Sequence, residues 1–222
     1  MKFIHPEIET VIDTENGCYN TLVIEEQAFF TRLLLDLQQQ LQGAEGQSVL
    51  SVDNTPIPIG KNAMVVDAFV PFDLNRKQLL NRLVSVLAQR ANAPENMEKT
   101  AAILSNVELW LDEVAMDLSC DIIFEGLSSA ALIKASSPEI RGNTDSVAEM
   151  VLDLIELVEE LDRPRLFFLV NMRSYVTDQE MEAFLQSVLS HGYHVIGIES
   201  SSRPYLSLEK RVTIDADLCE IS

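Results

Sequence analysis

Four groups of side chains in this sequence have types and spacings that could do chemistry. The first is the lone Gly-Lys pair of TPIPIGKNAM (55–64). A phosphate loop reads GxxxxGK[ST] and lies between a strand and a helix, so that its backbone N–H groups cradle phosphate oxygens. Here Thr55 and Asn62 occupy the outer motif positions, and Pro56 and Pro58 remove two of the amides. A strand pattern follows, not a helix, so Gly60-Lys61 reads as a turn entering a strand. The partner of such a loop is an Asp at a neighbouring strand tip, where it helps bind magnesium. The run LFFLV (166–170) ends instead in Asn171. Both halves of an ATPase apparatus are missing from the pattern.

The second group is acidic. Asp117, Asp121 and Glu125 recur every four residues, beside Asp112 and Glu113. On a continuous helix they share a face, and at a helix end they can converge on one ion. Hard oxygens in that number suit calcium, which takes six to eight of them. The same pattern also reads as a solvated acidic face. The third group is basic: Arg76, Lys77, Arg82, Arg90 and Lys99 hold five of the sixteen Lys and Arg residues. At about 100° per residue, Arg76, Arg82 and Arg90 fall within an arc of roughly 120°. That stripe suits a phosphate backbone, and equally a solvated helix face. The fourth group, His191 and His194, is interrupted by Gly192 and lacks a third ligand, so it reads as two loop histidines. There is no GxSxG and no Cys–His pair at a known spacing. Ser200–Ser202 read as a loop, and Trp110 as helix packing. The reading is of a protein that is not an enzyme.

These groups are set by a mixed α/β frame. NTLVI (20–24) reads as a strand, and a helix follows over about 25–42, with Phe29, Leu33, Leu34 and Leu37 on its apolar face. Strands are expected at 47–52 and 63–70. The character then changes: from Leu74 to about Leu127 strand signals almost vanish. One helix should start at Asp73 as N-cap and another at Pro94, running to about 118. A third spans about 145–162. The α/β pattern resumes with the strand 165–170. Thr177 and Glu180 form a capping box for the helix 177–190, Gly192 ends it, and YHVIGIE (193–199) is the next strand. This is a βαβ unit, which pairs in parallel by a right-handed crossover. A last strand is expected at 211–215. The division is therefore an α/β part at 1–72, a helical insertion at 73–162, and a second α/β part at 163–222.

The bulk numbers fit a globular protein, with 222 residues and 47% hydrophobic composition. No apolar run approaches the ~20 residues of a membrane helix, and MKFIHPEIET lacks the pattern of a signal peptide. Three scattered cysteines read as reduced thiols, hence a cytoplasmic location. The net charge of −19 argues on average against nucleic acid. An oligomer, however, can gather its cations on one inner surface and turn its acids outward.

Taken in order, the motifs resemble those of the Csn-two family, accessory adaptation proteins of type II-A CRISPR loci. The likeness lies in LFFLVNMRSYVTDQEM (166–181), VIGIESSSRPY (195–205), VVDAFVPFDLN (65–75) and TLVIEE (21–26), and covers nearly the whole chain. It implies a P-loop-like α/β head without ATP motifs and an inserted α-helical leg. It implies a homotetrameric ring that holds double-stranded DNA through free ends on a basic inner surface. It further implies spacer acquisition with the Cas-one, Cas-two and Cas-nine proteins, and calcium between leg and head. The acidic calcium segment falls at MDLSCDIIFEG (116–126), where Asp117, Asp121 and Glu125 match acidic positions. Ala115 and Ser119 stand where members often carry Glu, which implies calcium that is weaker, differently liganded or absent. The DNA contacts expected from charge are Arg76, Lys77, Arg82, Arg90, Lys99 and, past the strand tip, Arg173. The alternative is an acidic protein–protein adaptor that scaffolds the adaptation complex without gripping DNA.

Overall fold

The computed structural model describes residues 1–120, 122–142, 146–161 and 165–221, with every side chain among them except that of Gln78. Asp121, the expected helix start at 145 and the expected boundary at 162–163 lie outside the described residues. In chain order the elements are β1 (Lys2–Ile4), β2 (Ile12–Asp13), β3 (Tyr19–Ile24), α1 (Gln27–Leu41), β4 (Val49–Val52), β5 (Thr55–Ile57), α2 (Ile59–Asn62) and β6 (Ala63–Val66). Then come α3 (Lys77–Ala91), α4 (Met97–Ala115), α5 (Ser129–Ala135) and α6 (Val147–Leu161). Last are β7 (Leu166–Val170), a short 3-10 turn (Met172–Ser174), α7 (Asp178–His191), β8 (His194–Glu199), β9 (Glu209–Ile214) and β10 (Glu220–Ile221).

The main sheet has the order β10-β9-β3-β8-β7-β6. Its strands from β9 to β6 are all parallel, and β10 alone runs antiparallel, along β9. Strand β7 shows why it sits inside: all five of its residues are buried, so both faces must be covered. On one face Leu22, Ile24, Phe168 and Ile196 join Phe29, Leu33 and Leu37 of α1 in a single cluster. The alternate residues Phe167, Leu169 and Val195 are also buried and point the other way. On that side Tyr19 meets Phe184 of α7 edge-on, ring centroids 6.5 Å apart. A small antiparallel sheet, β2-β1-β4-β5, closes the first face, where Phe3 packs against Phe168.

The chain divides into two compact units, one of Met1–Phe72 with Gly142–Ser222 and one of Asp73–Arg141. Helix α6 therefore belongs to the α/β unit, not to the helical one expected through 162. The reason is its apolar stripe: Val151, Leu154, Ile155 and Val158 are buried, and the helix packs on α7. Burial of each such side chain is worth about 1.5–3 kcal/mol. Asp73 does not cap α3. It accepts from the N–H of Asn75, and the helix opens after Arg76. The capping box at Thr177 and Glu180 forms as the spacing requires, and Gly192 closes α7 in the left-handed region.

Candidate nucleic-acid interface

At the β3–α1 junction a strand leads into a helix N-terminus, whose unpaired N–H groups can hold an anion. Glu26 occupies this junction. Its carboxylate accepts from the N–H groups of Ala28 at 2.9 Å and Phe29 at 2.6 Å. Those bonds hold its pKa below the usual carboxylate value. The donors of this helix end are thus taken, and an anion already balances the dipole. Gly60-Lys61 lies elsewhere, in α2 just before β6. The acidic pair closing TLVIEE was the available signal for this arrangement.

Asn171 has its own structural reason. Its φ of 56° lies in the left-handed region, which Asn tolerates better than most residues. Its Oδ1 accepts from the Ser200 N–H at 2.8 Å and the Ser200 hydroxyl at 2.9 Å, tying the β7 tip to the end of β8. Arg173, expected to reach DNA, turns inward instead and is only 4% exposed. Its guanidinium donates to Asp178 at 2.7 Å and to the Pro204 carbonyl at 2.9 Å, and lies 3.8 Å from Glu209. A buried cation needs such partners, so its charge is consumed within the fold. Glu209 also pairs with the buried Arg211, at 2.8 Å. Glu199, 3% exposed, accepts from the Arg173 backbone N–H at 3.1 Å. Burial pushes its pKa up to about 7, against the pull of that N–H and of Arg173 and Arg203.

The five remaining expected cations all lie in the helical unit. Arg76 precedes α3; Lys77, Arg82 and Arg90 ride on it; Lys99 is on α4. Lys77, Arg82, Arg90 and Lys99 are exposed, and Arg76 is half-buried. Charge is sorted along this unit. Residues 73–92 hold four cations and one acid, whereas 93–127 hold one cation and eight acids. Helix α3 packs on α5, which adds Lys134. Sequence reasoning missed Lys134, because α5 is only seven residues long.

The acidic segment is not a continuous helix, since α4 ends at Ala115. Asp117 and Glu125 are exposed on the chain that follows. Among the described residues no three acidic, His or Cys side chains gather for a metal. His191 and His194 do not converge: His191 Nδ1 is 2.8 Å from the Ser187 carbonyl, and His194 Nδ1 is 2.8 Å from the Thr14 hydroxyl. They are the last residue of α7 and the first of β8, not loop residues. Trp110, expected to pack, is 57% exposed on α4, a helix without one buried residue.

A family model described as CRISPR-associated protein (Cas_Csn2) matches residues 40–218. The chain belongs to the Csn-two family. Its fold is similar to the crystal structure of Stu0660 of Streptococcus thermophilus, with a TM-score of 0.56 at 13% identity. That match covers 91% of this chain and 69% of the other. This Csn-two chain is therefore CRISPR-associated, with a mixed α/β fold of parallel and antiparallel sheets. Among the described residues, none of its helices is long and apolar enough to cross a membrane.

Proposed function

We propose that this Csn-two protein is a non-catalytic, sequence-independent binder of double-stranded DNA ends, acting in spacer acquisition as a cytoplasmic homotetrameric ring. Asp73–Arg141 serves as the leg. The other unit serves as a P-loop-like head in which Glu26 and Asn171 stand where nucleotide chemistry would need free amides and an Asp. Cas-one, Cas-two and Cas-nine are its working partners. The observation that carries this reading is the sorting of charge in the helical unit: a chain of net charge −19 gathers four cations and one acid at 73–92. Binding of that kind is electrostatic and weakens steeply with salt. Gel shifts of linear and closed-circular duplex at two salt concentrations test it. The expected result is a shift of linear DNA at low salt, weaker for the circle and lost at high salt. No shift of linear DNA from a confirmed tetramer overturns it.

A second reading, an acidic adaptor that organises the adaptation complex without gripping DNA, is favoured by the overall charge and the exposed apolar side of α4. It predicts that reversing Arg76, Arg82 and Arg90 leaves spacer acquisition intact. The DNA reading predicts its loss.

A further inference from the structure

Between α3 and α5 runs a groove of about 620 Å³. Lys77, Leu80 and Val84 line it from α3, Lys134 from α5, and Glu139 from the segment after α5. We propose that this groove holds a phosphate of the nucleic-acid backbone, with Lys77 and Lys134 as its ligands. The proposal deepens the DNA-binding reading above and rests on it.

Three observations carry it. First, the groove is built rather than incidental. Asn75 clamps its far wall: its Oδ1 accepts from the Ile140 N–H at 2.7 Å and its Nδ2 donates to the Ile140 carbonyl at 3.2 Å. That pair of bonds fixes the segment carrying Glu139 against the start of α3. Second, both lysines are exposed, and neither side-chain ammonium makes an ion pair or hydrogen bond with a described residue. In a chain with 35 acids and 16 Lys and Arg residues, two unpaired lysines on one concavity mark a place for an outside anion. Third, the chemistry suits phosphate. A lysine ammonium is a compact point charge with three rotatable donors. Leu80 and Val84 give an apolar floor on which a sugar face or the lysine stems can lie.

The groove is also distinct from the arginine side of α3. At about 100° per residue, Arg82 and Arg90 each stand roughly 140° around the axis from Lys77. A strand laid along the arginines would not reach the groove, so the lysines add contacts of their own.

The test is fluorescence anisotropy of the full chain with a labelled linear duplex over a salt series. Each phosphate contact contributes about 0.9 to the slope of log affinity against log salt. Lys77→Ala and Lys134→Ala should each lower that slope by about 1 and weaken binding several-fold, equally for unrelated sequences. Glu139→Gln should tighten binding, a gain that a damaged fold cannot produce. If the wild-type chain binds duplex and both lysine variants keep its slope, the groove proposal falls and the DNA reading stands; the groove would then suit an acidic protein segment. If the wild-type chain binds no duplex, both fall.

Discussion

Glu199 carries a pH dependence that follows from its position. The carboxyl is buried at the end of β8, facing Tyr19, Arg173, Arg203 and Glu209. Its folded pKa of about 7 lies above the ordinary value of 4.5. The folded chain therefore holds a proton that the unfolded chain releases between those values. Stability from this group is full below about pH 4.5 and lost as pH rises to about 7. At 1.36 kcal/mol per unit the loss is about 3 kcal/mol. Glu199→Gln keeps the neutral form at every pH. It should raise the urea midpoint above pH 7 and flatten the stability slope between pH 5 and 7, measured by denaturation at several pH values. A variant that is less stable than the parent at pH 8 would show that the ionised carboxylate is needed by Arg173.

Between elements, much of the α/β unit is legible from periodicity alone. The run Leu166–Val170, the capping box at Thr177 and the glycine at 192 define β7, α7 and β8, and the parallel pairing follows. Strands β1, β2 and β10 are only two or three residues long, too short for an alternation to register. Helix α6 has an unmistakable apolar stripe, but a stripe says only that a face is buried, not which unit buries it. Arg173 departs from its expected exposure for a related reason: a place two residues past a strand tip does not fix exposure, and after the left-handed Asn171 a 3-10 turn buries Met172 and Arg173. Of the two arrangements open to the acidic segment, a shared helix face would need the helix to continue, and α4 ends at Ala115. We propose that Asp117, Asp121 and Glu125 bind calcium weakly, as the family resemblance implies. Thermal melts in millimolar calcium against chelator should then differ by a few degrees. Calcium at ten times Kd adds about 1.4 kcal/mol, and a chain of this length shifts by about 2–4 °C per kcal/mol. Asp117→Asn should abolish the difference; equal melts in the parent chain would remove calcium from the picture.

At the scale of the whole molecule, the proposed ring must reconcile an acidic chain with self-association. Helix α4 offers the apolar contact: Ile103, Val107, Trp110 and Val114 recur at three- and four-residue steps along one side. Ile103, Trp110 and Val114 are all exposed. Beyond the helix, Ile123 is 84% exposed. Exposed apolar surface on this scale marks an interaction site, and in the ring reading a second copy covers it. Tryptophan at such a centre typically contributes 2 kcal/mol or more to an interface. Trp110→Glu should therefore dissociate the tetramer in light scattering while leaving the far-UV spectrum of the subunit unchanged. Salt supplies an independent sign. Subunits of net charge −19 repel one another, so screening should strengthen assembly, whereas displacement of counterions from DNA makes the same salt weaken binding. Measured on one preparation across a salt series, the tetramer should gain stability as DNA affinity falls. A variant that stays tetrameric with glutamate at position 110, or an assembly that falls apart as salt rises, would move the subunit contact away from α4 and onto ion pairs.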